Sequence, residues 1–337
     1  MKKIIIKFLF ILVCVPALIF SQQQRLMYEK LIEKKGIMYS TGKKPYTGRV
    51  FDNYRMKGRK LTGEFRNGKK HGNWTYWKEN GKTDREESYF EGNKNGNWVY
   101  YNDDGIKERV EKYEKGKDTG HKIFFYDNGK KEKEEFHVKG LRNGKWTTWY
   151  YNGKKEKEEY YKKGNKIGKW NYYSEIGKKE STVSYQNDNK DGRSIYFYSN
   201  SRKKQREESW KRNVENGLWI WWAEDGKKTE EGNYKTGHKH GIWISYNSRG
   251  RKIEESQWKN GELYGKSTLW DKNGNKSILK SFKEDEKDGL WVWWSVSGRK
   301  IKEGNFKLGE KNRKWTYYHP NGKKKRVENY VQGKKNG

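Results

Sequence analysis

The sequence predicts an all-β fold built as an array of short repeats, and three observations carry that expectation. The chain of 337 residues holds 77 Lys and Arg against 44 Asp and Glu, a net charge of +33, with only 31% hydrophobic residues. That balance alone reads as disorder, but disordered chains are poor in aromatics and rich in proline. Here 17 Trp, 25 Tyr and 12 Phe stand against 3 Pro, so something must bury the rings. Aliphatic residues are too sparse for the large core of a globular enzyme. A repeat array needs only a few large side chains per unit, packed against neighbouring units. The third observation is the period itself. A glycine opening a G-x-W phrase returns at Gly72, Gly96, Gly120, Gly144, Gly168 and Gly192, each 24 residues after the last. After one inserted residue it resumes at Gly217, Gly241, Gly265 and Gly289. With Gly48 in phase and Arg313 standing where a glycine is due, twelve units run from 48 to 336, and Gly337 opens a further one.

At the N-terminus, Lys2, Lys3 and Lys7 precede an apolar run from Phe8 to Phe20, followed by Ser21 and three glutamines. Thirteen apolar residues after a basic start predict a secretory signal peptide over 1–21, cleaved after Ser21, with an uncleaved membrane anchor as the alternative. The protein is then exported across the inner membrane and is periplasmic, on the cell surface or secreted. Cleavage removes three lysines, leaving +30, and takes away Cys14, the only cysteine. A mature chain without cysteine has no disulfide, no Cys-based zinc site and no Cys nucleophile. Residues 22–47 read as a leader and a degenerate half-repeat, with Gly36, Tyr39, Gly42 and the run Pro45-Tyr46-Thr47-Gly48. Pro45 suits an edge strand, so this segment is the expected cap of the array at 48–337.

Within a unit, counted from its opening glycine, position three is Trp in eight of the eleven units from Gly72 on: Trp74, Trp98, Trp146, Trp170, Trp219, Trp243, Trp291 and Trp315. Position six is aromatic throughout, as in Trp77, Tyr101, Trp149, Trp222 and Trp294. These rings are the expected repeat core. Positions nine and ten are turn dipeptides such as Asn80-Gly81, Asn152-Gly153 and Asp225-Gly226, whose residues tolerate the positive φ of a two-residue hairpin loop. A charged strand follows and ends in a ring near position eighteen (Tyr89, Tyr161, Tyr234, Phe306), before a second glycine breaks the chain. Each unit is therefore one β-hairpin plus a connecting loop, and no stretch of ten residues keeps helical periodicity. With a two-residue loop, position eighteen faces the glycine at position one, where a large ring shields the bare backbone. Rings at positions three and six cannot share a face of a regular strand, so either both faces carry rings or a bulge intervenes. Stacked hairpin on hairpin, the units form one long, elongated and twisted antiparallel sheet.

The phrase Phe65-Arg66-Asn67-Gly68-Lys69-Lys70-His71-Gly72-Asn73-Trp74 resembles the MORN repeat: an aromatic, a glycine turn, basic residues, then Gly and a ring. The recurring Trp-x-Tyr-Tyr-x-x-Asn-Gly-Lys-Lys-x-x-Glu and the opening Pro45-Tyr46-Thr47-Gly48 are closer to the bacterial MORN-variant branch, whose members include YwqK-like antitoxin components of toxin–antitoxin modules. The resemblance implies an interaction and oligomerisation scaffold, with phospholipid binding in some arrays.

Chemistry beyond binding is not indicated. Glu86-Glu87, Glu134-Glu135, Glu158-Glu159, Glu207-Glu208, Glu230-Glu231 and Glu254-Glu255 are adjacent acids whose side chains point to opposite faces of a strand, so they read as a solvated charge ladder and not as a catalytic pair. His238 and His240 read as part of a connecting loop. No nucleophile elbow, metalloprotease or phosphate-loop motif is present, and neither an enzyme nor a cofactor nor a metal is expected. The basic excess is the one broad signal. Lys130, Lys131, Lys154, Lys155, Lys178, Lys179, Lys227, Lys228, Lys323 and Lys324 follow hairpin turns and would align into a positive edge. Such an edge either protects the sheet and keeps it soluble or binds an anionic partner. Export disfavours nucleic acid and leaves acidic proteins, lipid headgroups or glycans, with self-association through exposed sheet edges as a further route. The expected function is an exported, non-enzymatic binding scaffold acting through a protein partner or at the envelope surface. The alternatives are an antitoxin or immunity protein that occludes a toxin, and an electrostatic binder of anionic lipid or polysaccharide.

Overall fold

The computed structural model describes residues 25–336 apart from 42, 56 and 57. The segment 1–21 expected to be a signal peptide, Gly42 and Gly337 lie outside the described residues. Regular structure is β throughout, save for one 3-10 turn at Tyr28–Lys30. The chain divides into two compact units after Asp118.

In the first unit, Arg25–Met27 runs parallel to Gly48–Asn53 along the sheet edge. From there Gly48–Asn53, Arg59–Arg66, Lys69–Trp77, Thr83–Phe90, Gly96–Tyr101 and Lys107–Glu114 pair antiparallel in chain order. Leader residues Leu31, Met38 and Tyr46 close a core over Val50, Leu61, Phe65 and Trp74. Pro45 makes a single bridge to Tyr39, a place that asks no N–H of it. The second unit continues the antiparallel hairpins in chain order, through to Lys324–Val331 and Lys334–Lys335.

The hairpin from Gly144 shows how one repeat is made. Strand Gly144–Trp149 pairs with Lys155–Lys162 in the register Gly144↔Tyr161, Trp146↔Glu159 and Thr148↔Lys157. Position eighteen therefore does face position one. The turn differs from expectation. Gly153 N–H donates to Tyr150 O at 2.8 Å, Tyr150 N–H donates to Lys154 O at 2.8 Å, and Gly153 alone has positive φ, +86°. The loop thus has three residues, a type I turn closed by a left-handed glycine. Its extra residue is absorbed by a bulge at Glu156, between the paired Lys155 and Lys157, which restores the register. Asn152 is used for its side chain: Oδ1 accepts Lys154 N–H at 2.9 Å, and Nδ2 donates to Glu175 O in the next turn at 2.8 Å.

The two-residue turn with paired positive φ lies at the other end of the hairpin, in what reads from sequence as a connecting loop. Lys163 (φ +50°) and Gly164 (φ +90°) link Lys162 to Asn165, which are directly paired. The same geometry is imposed on Glu91, Lys115, Thr236 and Leu308. Gly168 then adopts φ +67° and bulges the strand. That backbone favours the glycine at position one, and Arg313, standing where a glycine is due, adopts it at φ +60°. Contact of a ring with a bare glycine is found at position sixteen, where Trp74, Trp243 and Trp315 lie on Gly63, Gly232 and Gly304.

Candidate binding faces

Because Gly144–Trp149 is a regular strand, its rings at positions three and six fall on opposite faces, so both faces carry aromatics. The first face holds Trp74, Trp98, Trp146, Trp170, Trp219, Trp243, Trp291 and Trp315, all buried. Each of the seven from Trp98 onward donates its indole N–H to the carbonyl ten residues back, as Trp146 does to Phe136 O at 3.0 Å. That carbonyl also takes a backbone N–H, from Asn143 at 2.9 Å in this repeat. Rings at positions three and eighteen alternate along the sheet: Trp146 to Tyr161 is 5.5 Å between centroids, Tyr161 to Trp170 is 5.1 Å, and Trp170 to Tyr185 is 4.9 Å. Hairpins are joined to one another through this column.

A cation sits over most of these pairs of rings; over Trp219 and Tyr234 the corresponding residue is Glu215. Lys94 Nζ is 3.8 Å from the Trp98 centroid and 4.6 Å from that of Tyr113. Lys166 covers Trp170 and Tyr185, Lys239 covers Trp243 and Trp258, and Lys311 covers Trp315 and Tyr330. Desolvated contacts of this kind contribute up to about 2 kcal/mol each. Sequence reasoning passed over these residues, although position 23 is basic in most units, Asp118, Glu215 and Leu263 being the exceptions.

On the second face, Trp77, Tyr101, Trp149, Trp222 and Trp294 are half-buried and not core. Tyr101, Tyr173, Tyr246 and Tyr318 at this position donate their hydroxyls to Glu86, Glu158, Glu231 and Glu303. The adjacent acids do split between faces: Glu158 meets Lys145 at 2.6 Å and Lys155 at 2.7 Å, while Glu159 meets Lys157 at 3.3 Å. The solvated ladder expected holds only in part: Glu86 is exposed and Glu134, Glu230, Glu231, Glu254 and Glu255 are half-buried. Glu87, Glu135, Glu158, Glu159, Glu207 and Glu208 are buried, because rings and lysine stems cover them from both sides.

Burial alone would raise the Glu158 carboxyl, but hydrogen bonds from Lys145, Lys155 and Tyr173 outweigh it and hold the group down at about 2. Glu207, Glu231 and Glu303 are lowered in the same way. An unfolded glutamate titrates near about 4.3. The folded state therefore binds these protons less readily, and the stability they add is present above that value and is lost as pH falls toward 2. We expect the thermal midpoint to drop between about pH 5 and pH 2, more shallowly in Glu158→Gln. An identical acid slope in wild type and variant would remove Glu158 from this role.

The turn lysines are held by the chain's own acceptors. Lys130, Lys154, Lys178 and Lys227 reach carbonyls of the next turn, at Asn152, Ile176, Asn200 and Ser248, over 2.8–3.0 Å. Lys131, Lys155 and Lys228 pair with Glu134, Glu158 and Glu231, and Lys179 donates to Asn171. Lys323 and Lys324 are exposed. Lys130, Lys154, Lys178 and Lys227 thus fasten turn to turn, while Lys131, Lys155 and Lys228 pair within their own strands. His238 and His240 lie in the strand His238–Tyr246, not in a loop. No group of three or more His, Cys, Asp or Glu among the described residues could hold a metal ion.

Three segments, 142–163, 215–236 and 314–332, match the model of the MORN repeat variant, each covering one hairpin. No characterised protein matches. Among solved structures, the chain is similar to a Photorhabdus luminescens Tc holotoxin pore carrying a TccC3 mutation, at 9% identity and a TM-score of 0.21, over 85% of this chain and 18% of that one. A crystal structure of TcdB2-TccC3 gives 10% identity and a TM-score of 0.21, over 82% and 18%. The chain thus spans about a fifth of the length of these proteins, and no argument rests on the likeness.

Proposed function

We propose that the protein is an exported, non-enzymatic scaffold of MORN-variant repeats that binds a protein partner across the second face of its sheet. The observation that carries this reading is a change in that face along the second unit. At position two the early hairpins present Lys145, Lys169 and Arg193; three of the five later ones present Leu218, Ile242 and Leu290, which remain 42%, 47% and 41% exposed, and the other two keep Lys266 and Lys314. Beside them Ile220 and Val292 are buried, and Trp222, Tyr246 and Trp294 are half-buried. Apolar side chains repeated in register on an open sheet face mark an interaction surface. The basic excess around it selects an acidic partner and speeds encounter.

The antitoxin and anionic-surface alternatives would use the same scaffold and are told apart by what is recovered. The test is affinity purification from envelope fractions with the wild-type chain and with the combined variant Leu218→Asp, Ile242→Asp, Leu290→Asp. We expect a specific protein with wild type, lost by tenfold or more in the variant, whose thermal midpoint stays close to wild type because the sites are exposed. Retention of the partner by the variant overturns the face assignment; capture of anionic lipid alone overturns the protein-scaffold reading. The recovered wild-type protein should begin at Gln22, and a start at Met1 would overturn cleavage.

A further inference from the structure

Positions five and fourteen form one row of side chains on the first face, and in four hairpins of the second unit this row sets a cation against a ring, whereas others hold pairs such as Tyr172 with Ser181 and Ser245 with Glu254. Phe124 pairs with Lys133, Tyr196 with Arg206, Trp293 with Lys302 and Tyr317 with Arg326. In each pair the cation lies over its ring, at 4.3, 3.8, 4.3 and 4.2 Å from the centroid. At one place the row keeps its cations and lacks the ring. Thr148 stands at position five there, flanked across the sheet by Lys133 on one side and Lys157 on the other.

Around Thr148 lies an open cleft of about 370 Å³, with Lys133 and Lys157 as walls and Trp146 beneath. That volume is at the small end for ligand sites. The buried carboxylates of Glu135 and Glu159 also line it; each meets its nearer lysine, at 3.2 and 3.3 Å, and Glu159 takes in addition only a long hydrogen bond of 3.5 Å from the Tyr161 hydroxyl. The first unit shows how a resident tyrosine uses this same arrangement. Tyr100 lies 4.3 Å under Arg109, and its hydroxyl donates to Glu111. Thr148, Lys157 and Glu159 occupy the corresponding positions five, fourteen and sixteen.

We propose that the cleft at Thr148 receives a phenol ring, the tyrosine side chain of a protein partner, stacked against Lys157 and Lys133 with its hydroxyl donating to Glu159. The stacking is a cation–π contact, and a phenol supplies both the ring face and a second donor for Glu159, as Glu111 accepts from both Tyr100 and Tyr113. Sugars lack the ring quadrupole, and toluene lacks the donor. The site deepens the scaffold reading by naming one anchor of its partner, yet it can be tested without that partner.

The probe is p-cresol, titrated into the full chain and followed by the chemical shifts of the Thr148 methyl and by saturation transfer to the cresol ring. We expect saturable shifts at Thr148, affinity about tenfold weaker for toluene, and none for methyl glucoside. Thr148→Tyr fills the cleft from within and should abolish cresol binding while raising the thermal midpoint. Lys157→Met, which keeps the volume and removes the charge, should weaken binding about tenfold and covers the case in which Thr148→Tyr fails to fold. Undiminished cresol binding in either variant, a preference for the glucoside, or no shift at Thr148 overturns the site. Those outcomes leave the scaffold reading to the Leu218, Ile242, Leu290 variant, so the two can fail separately.

Discussion

Replacing Trp291 by Ala is expected to cost about 3–5 kcal/mol, the range for deleting a large buried ring. The indole lies between Phe282 at 5.4 Å and Phe306 at 5.2 Å, with Trp293 at 5.6 Å. Phe282 belongs to the preceding hairpin and Phe306 and Trp293 to that of Trp291, so the deletion opens a void in the contact that joins two successive hairpins. The lost hydrogen bond matters less, because Ser281 O keeps the N–H of Asp288 at 3.0 Å when the indole N–H is removed. In a repeat array stability is a sum of nearest-neighbour terms, so the damage stays local. Hydrogen exchange should show protection lost over roughly residues 276–307 and kept around Tyr161 and Trp170. Trp294→Ala, on the second face and half-buried, should cost clearly less. Equal losses for the two variants would undo the distinction between faces, and a uniform loss across the second unit would undo the nearest-neighbour picture.

The parts of the fold that were legible in the sequence are those that depend on period and polarity. Trp at position three and the pairing of position eighteen with position one follow from spacing alone, and both are observed. The turns were not legible, because Asn152-Gly153 and Lys163-Gly164 differ less in composition than in which carbonyl each glycine N–H finds. The sequence suggests a two-residue loop at Asn-Gly; the chain places one at Lys-Gly and strains Lys163 to φ +50°. Faces could not be assigned to rings until that register was known, which is why Trp149 reads like Trp146 in the sequence and lies on the other side. The burial of Glu159 was hidden for a related reason: what covers it is Trp146, directly opposite, and Tyr161 two residues on, with Lys157 as its counter-charge. The cation row was available in principle, since Lys94, Arg142, Lys166, Lys239 and Lys311 recur in phase. Attention to the more conspicuous turn lysines obscured it, and those lysines are tied to the chain's own acceptors.

Gly304→Ala is expected to destabilise the last hairpins by about 1–3 kcal/mol, although alanine suits a strand backbone better than glycine does. Gly304 pairs with Trp291 across its own hairpin and carries Trp315 of the next one directly on its backbone, so a Cβ there would overlap the Trp315 indole. Position sixteen holds Glu in several other repeats, and three of the four Trp that follow one sit higher: Trp98, Trp146 and Trp219 are 6%, 8% and 9% exposed, with Trp170 at 3%, against 0%, 3% and 1% for Trp74, Trp243 and Trp315 on their glycines. The added methyl should push Trp315 toward that higher seat without ejecting it, which sets the cost below that of losing the ring. A double-mutant cycle isolates the clash. With Trp315→Ala already present, the methyl meets no ring, and Gly304→Ala should become neutral or slightly stabilising. Additive losses in thermal or denaturant unfolding would show that the methyl and the indole do not meet, and the glycine at position sixteen would then need another cause.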